Sequence, residues 1–296
     1  MSFDNAYESL ADATEDARWA FGTTGQGVDP LSGVDTTVPA GVEGADLAAY
    51  CLMLGDDALI MSHRLQEWST NLPELEDEVA VANIALDLLG QARLLLTRAG
   101  RADGTDRGED DYAYLRAEPD FRNVRLVEAQ RGDFAQLSAV LLVFSTWRLA
   151  LLDRLADSAD PVLAAIAAKG VKEVAYHRDY AARWVVRLGD GTELSAERMG
   201  AGLAEVWPLV PELFATHPVE RRLAEAGVGV DPATLRAEFD QVVAEVLVAA
   251  MLTVPDAPEL ARVGGRAGRD GVHTEVMGFL LAELQSVARA YPGATW

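Results

Sequence analysis

Cysteine and aromatic residues are scarce in this chain of 296 residues. Cys51 is the single cysteine, so no disulfide can form within the chain. A framework of disulfides is therefore excluded, and a reducing compartment is expected. The N-terminal residues also lack the basic start and the apolar core of a secretory signal. These absences predict a cytoplasmic protein that is stabilised by a hydrophobic core.

Positively charged residues are also fewer than negatively charged ones. Lys169 and Lys172 are the only lysines, and the formal net charge at pH 7 is -22. A field of this sign repels nucleic acid and anionic lipid, so we expect neither of them as a partner. The most apolar run, 137–144, is too short to span a bilayer and is followed at once by polar residues. No membrane-spanning segment is expected.

No convincing strand pattern occurs, and helical spacing of apolar residues takes its place. This spacing extends over 45–68, 79–99, 134–156 and 161–188. The first two helices are separated only by a short break at Pro73, so they should be antiparallel neighbours. A long polar connection, 101–132, separates the second helix from the third, and ferritin-like bundles have their one long crossover at this place.

The predicted fold is therefore all-α, a ferritin-like four-helix bundle with one long crossover and additional C-terminal helices. We expect the additional helices at 194–214, 231–254 and 273–290, with Pro208 and Pro211 ending or kinking the first of them. Residues 1–44 are rich in Gly, Thr, Asp and Pro and predict a flexible N-terminal extension, or else a peptide that docks on a partner. The helical domain should then occupy 45–296.

A metal centre is the first functional hypothesis, because Glu173 and His177 share one face of the fourth helix. Ferritin-like di-iron sites need about four carboxylates and two histidines from four helices. The second helix offers only Asp87 past its first turn, and Gly90 stands where a histidine would be needed. The third helix has no carboxylate between Asp133 and Asp153. We therefore read these positions as a degenerate site, and we expect no metal and no catalytic residue in this chain.

The first helix could add Asp56, Asp57 or Glu67 as ligands, with His63 nearby, but these do not complete the set. The alternative is a hydrogen-bond network across the bundle, because buried polar groups need partners. Such a network would join Asn83, Asp87 and Gln91 to Glu173 and His177. His63, His217 and His273 are isolated in the sequence and are expected to be structural or surface residues.

Several long segments carry a family resemblance. They read LGDDALIMSHRLQEW, PELEDEVAVANIALDLLGQAR, DFRNVRLVEAQRGDFAQ, VKEVAYHRDYAARWVVRLGDGT and GVHTEVMGFLLAELQSVARAYPGATW. In order and over about 47–296, they resemble the C-type subunits of the phenylacetyl-CoA epoxidases, which are also called phenylacetate-CoA oxygenases. The resemblance implies a ferritin-like component of a bacterial multicomponent monooxygenase that forms the ring 1,2-epoxide in phenylacetate breakdown.

The resemblance also implies the partners. The A-type oxygenase subunit holds the di-iron centre and binds phenylacetyl-CoA, the B-type subunit forms a bridge in the assembly, and a reductase with flavin and iron–sulfur groups delivers electrons from NADPH. This chain is then expected to be a structural subunit without metal that pairs with the A-type oxygenase subunit. Its role would be to stabilise that partner. The competing hypotheses are an autonomous di-iron carboxylate oxygenase and a ferritin-like scaffold that assembles with itself.

Contact with the substrate is a separate hypothesis. Coenzyme A is polyanionic, so local clusters of arginine are the candidate sites in so acidic a chain. The alternative is that these arginines pair with the surplus carboxylates, as surface charges commonly do. The candidates are the crossover and a pair of arginines beyond the bundle, comprising Asp120, Phe121, Arg122, Asn123, Arg221 and Arg222.

Overall fold

In the computed structural model, residues 30–68, 70–105, 107–130, 132–292 and 294 are described. They contain nine α-helices and several short 3-10 helices. Within these ranges no strand occurs, and the only β-type pairing is an isolated bridge between Val263 and Arg266. The prediction of an all-α fold is confirmed. Residues 1–29, most of the predicted extension, lie outside the described residues.

The four bundle helices lie close to their predicted positions. They are α1 (Gly44–Gln66), α2 (Leu75–Ala102), α4 (Phe134–Leu155) and α5 (Pro161–Gly189), and a short helix, α3 (Glu109–Tyr114), lies in the crossover. The hydroxyl of Ser62 donates to the carbonyl of Ala85 at 2.7 Å, whereas a methyl group on Gly44 would touch Ala102. These contacts show that α1 and α2 are antiparallel.

The helix starts follow from side chains that cap them. The Asp160 carboxylate accepts a hydrogen bond from the backbone N–H of Leu163, and Pro161 occupies the first turn, where no N–H is needed. Asp133 caps α4 in the same way by accepting from the N–H of Gln136. α5 continues unbroken through Gly170, whose missing side chain leaves room for Leu152 and Gln91.

The C-terminal part differs from the prediction in two places. It contains α6 (Glu193–Val206), α7 (Pro218–Glu225), α8 (Arg236–Ala249) and α9 (Val276–Ala290). As expected, α6 ends just before Pro208, and a 3-10 helix follows from Trp207 to Phe214. The short helix α7 was not predicted, and α8 ends at Ala249 rather than near residue 254.

The crossover is not the polar connection that its sequence indicates. The side chains of Phe121, Val124, Leu126 and Val127 are buried, and so are the charged groups of Arg116, Arg125 and Glu128. These charged groups are internal because they pair with carboxylates and carbonyls of other residues. The stretch 121–128 of the crossover is therefore largely part of the core, whereas most of 107–111 and 117–120 is exposed.

Two helices are long and apolar enough to cross a membrane, α2 and α4. α4 is buried almost throughout, as expected for the core helix of a bundle. By contrast, α2 buries only one face, and Leu75, Val79 and Leu86 on its other face are exposed. Core helices of water-soluble proteins have the same composition, so these helices are weak evidence for a membrane.

Contacts of the bundle reach back into the predicted extension. The side chain of Leu31 is buried, and the Arg98 guanidinium donates to the carbonyl oxygen of Thr36 at 2.8 Å. Arg98 is fully buried and also pairs with Asp160 at 2.6 Å. The described residues 30–43 are thus fastened to α2 and to the start of α5.

Candidate functional site

A polar chain of side chains crosses the interior of the bundle. The Gln91 amide of α2 donates to Glu173 of α5 at 2.9 Å, and its oxygen accepts from Nε of Arg148 of α4 at 3.0 Å. A nitrogen of the same guanidinium, Nη1, donates to the Leu54 carbonyl of α1 at 3.3 Å. The arrangement therefore links all four bundle helices.

A second polar contact lies one turn away from the first, before Gln91 on α2 and after Glu173 on α5. Nε2 of His177 is 3.0 Å from Oδ2 of Asp87. His177 is buried, whereas Asp87 is partly exposed at the edge of the bundle. Tyr176, which occupies the alternative ligand spacing after Glu173, is exposed and points away from this interior. The two pairs show that Asp87, Gln91, Glu173 and His177 meet across the interface between α2 and α5.

The prediction of a hydrogen-bond network is confirmed for those four residues. It is wrong for Asn83, which is exposed and takes no part in it. The sequence reasoning also missed Arg148, the central member. A signal was present, because Arg148 is the only charged residue between Asp133 and Asp153 in an otherwise apolar helix. A lone charge inside a buried helix needs a partner, and Gln91 and Leu54 meet that need.

Arg148 fixes a positive charge in the bundle core. Burial lowers the pKa of its guanidinium to about 10, so the group stays charged at neutral pH. Its Nη2 atom is buried and has no hydrogen-bond partner among the described residues. The carboxylates of Asp57 and Glu173 favour the charged form of Arg148, and the nearby positive charge of Arg269 opposes it. The positive charge at the centre of this bundle is thus carried by the Arg148 side chain.

The donor set does not fit a pair of iron ions. Glu173 already accepts from Gln91, and Asp57 of α1 is engaged elsewhere. Gln91 offers an amide in place of a carboxylate or an imidazole, and Arg148 adds a positive charge that repels metal ions. These residues could at most contribute one or two isolated ligands.

The two acidic residues of α1 that were considered as ligands hold the crossover instead. Asp56 forms a two-pronged ion pair with Arg116 and accepts from the Arg122 backbone N–H at 2.8 Å. Asp57 accepts from the Val124 N–H at 2.8 Å and from both terminal nitrogens of Arg269 at 2.8 and 2.9 Å. Both carboxylates are fully buried, so they position the crossover and the glycine-rich loop at 264–271 over α1.

Two further buried carboxylates complete this arrangement. Glu212 accepts from Arg125 Nε at 2.6 Å and from the N–H of Gly268 at 3.1 Å. Glu128 is held by side-chain and backbone donors of three residues at 2.7–2.8 Å, namely Asn123, His273 and Thr274. A methyl group on Gly268 would lie 2.1 Å from the Asn123 carbonyl oxygen, so only glycine fits there. The C-terminal segment is therefore bonded to the crossover at several points.

The structure separates the candidate residues for coenzyme A into buried and exposed ones. Phe121 and Asn123 are fully buried, and only Asp120, Arg122, Arg221 and Arg222 have side chains in contact with solvent. Arg222 pairs with Asp46 at 2.6 Å. Burial lowers the pKa of His217, the charge of Asp270 opposes this shift, and the charges of Arg269, Arg122 and Arg222 lower the pKa further. Arg122 and Arg222, which come from different segments, therefore lie near one common histidine.

Comparison with known proteins agrees with this architecture. The family described as phenylacetic acid catabolic protein matches residues 34–296. The chain belongs to this family. The C subunit of the 1,2-phenylacetyl-CoA epoxidase of Escherichia coli (strain K12) is 43% identical over 250 residues, which cover 84% of this chain and 99% of that protein. The resemblance to C-type subunits is confirmed.

Membership of the phenylacetic acid catabolic protein family also supports the ferritin-like interpretation of the helices. The matched region starts at residue 34, close to the point where the described chain begins to contact the bundle. The segments that carry the bundle core, the crossover and α9 all lie within the matched region. The polar chain and the buried carboxylates therefore belong to the family domain.

Proposed function

We propose that this chain is the C-type subunit of a phenylacetyl-CoA epoxidase, without a metal centre in its bundle core. It acts in the cytoplasm by binding and stabilising the A-type oxygenase subunit, which holds the di-iron site, and the B-type bridging subunit together with the reductase completes the assembly. The observation that carries the proposal is Arg148, a buried guanidinium bonded to Gln91 at the centre of the bundle. A positive charge at this position would repel iron ions, so it is unfavourable in a bundle that holds two of them.

The surface for the oxygenase subunit is the exposed apolar face of α2. Leu75, Val79 and Leu86 share one stripe of this helix. These three side chains are between 40% and 71% exposed. Apolar patches of this kind mark interaction sites, because leaving them in water is unfavourable. The opposite face of α2 is packed in the bundle, so docking needs no rearrangement of the core.

Replacing Leu86 by Asp should abolish co-purification with the oxygenase subunit. A carboxylate within an apolar contact would have to be desolvated without a partner, which is unfavourable. Each ~1.4 kcal/mol of binding free energy lost in this way weakens binding tenfold. We would co-express this chain with its tagged oxygenase partner and quantify how much of the chain is retained. Leu194→Asp is the matched control, because Leu194 is also exposed but lies on α6. Equal retention of both variants would contradict the proposed surface.

An iron assay on the same preparations separates the competing functions. We expect iron in proportion to the amount of the oxygenase subunit present, and none that depends on Glu173 or His177. An autonomous oxygenase would instead hold about two irons per chain when purified alone, and would lose them in Glu173→Ala. A self-assembling scaffold would form a stable homo-oligomer without the oxygenase partner.

We further propose that Arg122 and Arg222 contact phosphate groups of the acyl-CoA. Support comes from their common influence on His217 and from the partial exposure of both side chains. Arg122→Ala should raise the apparent KM for phenylacetyl-CoA about tenfold in the reconstituted complex, since a charged hydrogen bond contributes about 1.5–3 kcal/mol. The oxygenase subunit should still co-purify with this variant.

The control for this experiment is Arg183→Ala, which removes an exposed arginine whose partner is Asp179 one turn away. It should leave the KM unchanged. An unchanged KM in Arg122→Ala as well would mean that the Arg122 side chain serves only its hydrogen bond to the Pro119 carbonyl.

A further inference from the structure

A group of metal-ligating side chains lies where α9 passes the end of α1, away from the polar chain in the bundle core. His63 and Glu67 are four residues apart, so they face the same side of the last turn of α1. Glu283 approaches them from the middle of α9. One ligand atom from each of these side chains lies within 4.8 Å of the other two.

The atom types fit a divalent transition metal. One imidazole nitrogen and two carboxylates form a mixed set that Zn²⁺ accepts, with water in the remaining position. Around Zn²⁺ with bonds of about 2.0–2.2 Å, neighbouring ligand atoms lie about 3.4 Å apart. The side chains must therefore move together by about an ångström. Glu283 is exposed, so its long side chain can make that movement without disturbing the core.

An unsatisfied atom in the same group points to a missing ligand. Nε2 of His63 is buried and has no hydrogen-bond partner among the described residues. A buried polar atom without a partner is unfavourable.

Arg64 opposes metal binding by this group of side chains. It donates to Glu67 at 2.8 and 3.1 Å, so it orients this carboxylate but also shares it. With a neutral imidazole, the three ligands and Arg64 carry a net charge of about -1, which still attracts a cation. Because Arg64 competes for Glu67, its removal should strengthen metal binding.

We propose that His63, Glu67 and Glu283 bind a divalent transition metal ion that fastens α9 to α1. The ion bridges the first bundle helix and the last helix of the chain, and its role is structural. It is independent of the di-iron chemistry proposed for the oxygenase subunit. Its ligands also differ from the core residues Glu173 and His177, so variants can separate the two sites.

The test uses the full chain, free of any purification tag and stripped of metal, titrated with ZnCl₂ in a calorimeter. We expect one ion per chain and a rise in the melting temperature of several degrees. Glu283→Gln should weaken binding at least tenfold and remove the rise in melting temperature. His63→Ala should do the same, and Arg64→Gln should bind more tightly than the unaltered chain.

Glu275→Gln is the matched control, since Glu275 is an exposed carboxylate immediately before the start of α9. It should bind Zn²⁺ like the unaltered chain. Absence of binding, or binding that survives both Glu283→Gln and His63→Ala, would overturn the proposal. Because Glu283 is exposed, its variant should fold even if the His63 variant does not. Zinc lost in Glu283→Gln but retained in Glu173→Ala would distinguish this site from any metal in the bundle core.

Discussion

Replacing Arg269 by Met should destabilise the protein by about 3–5 kcal/mol, as expected when one partner of a buried ion pair is removed. Arg269 bonds both oxygens of Asp57 and also donates to the carbonyls of Met53 and Arg122 at 2.9 and 2.8 Å. Nε of the same guanidinium lies 3.8 Å from Glu220. The methionine would fill most of the volume but remove the nearest counter-charge of two buried carboxylates, Asp57 and Glu220.

The loss of stability in Arg269→Met should depend on pH in a defined direction. Burial already raises the pKa of Asp57 and of Glu220, and without Arg269 both values should rise further. A carboxyl group whose folded pKa lies above its unfolded value binds more protons in the folded state, so the stability of the variant falls as pH rises. The difference between the variant and the unaltered chain should therefore be smaller at pH 5 than at pH 7.

Urea unfolding at the two pH values, followed by circular dichroism, measures both effects. Arg262→Met provides the comparison, because Arg262 pairs with Glu259 at the surface and should contribute less than about 1 kcal/mol. Similar unfolding midpoints for the two variants would show that the Arg269 pair does not hold the crossover in place.

Replacing Glu128 by Ala should have a similar effect, again about 3–5 kcal/mol. This fully buried carboxylate accepts from Asn123, from Nδ1 of His273 at 2.7 Å, and from both the N–H and the hydroxyl of Thr274 at 2.7 Å. Alanine would leave all these donors buried and unpaired, and each unsatisfied group is costly. The link between the crossover and the start of α9 would be lost.

The unaltered chain should show a pH signature of the same contact. Burial alone would lower the pKa of His273, but the hydrogen bond and the charge of Glu128 outweigh it and raise the pKa above 6.5. The stability from this pair is fully present below pH 6.5 and is lost as pH rises through the folded pKa.

Unfolding measurements from pH 5.5 to 8.5 should show this decline in the unaltered chain and a weaker one in Glu128→Gln. The glutamine keeps most of the shape but removes the charge. An identical slope in the two proteins would assign the decline to other groups.

The sequence predicted the bundle well because apolar periodicity directly reports which side of a helix is buried. α4 and α5 begin where Asp133 and Asp160 can cap them, and both signals are local in the sequence. The pairing of Asp87 with His177 and of Gln91 with Glu173 was also predictable, because each pair follows from helix spacing and antiparallel packing.

The crossover was misjudged because its partners are remote in the sequence. Arg116, Asn123 and Arg125 are polar residues, so their composition is typical of a surface loop. Asn123 pairs with Glu128 in the same segment, but the burial of Arg116 and Arg125 becomes favourable only through Asp56 and Glu212, which lie 60 and 87 residues away. No local pattern reveals these two remote pairs. For the same reason Arg148 was overlooked as the central group of the bundle.

The long sequence distance between Asp57 and Arg269 has a consequence for biosynthesis. These residues are 212 positions apart, so Asp57 leaves the ribosome about 10–40 s before its partner at ordinary rates of translation. The bundle helices emerge early, but the carboxylates of α1 cannot all be neutralised until the glycine-rich loop has been made. The final closure of the core must therefore follow the synthesis of almost the whole chain, and nascent chains that stall before residue 269 would keep a buried charge that favours opening.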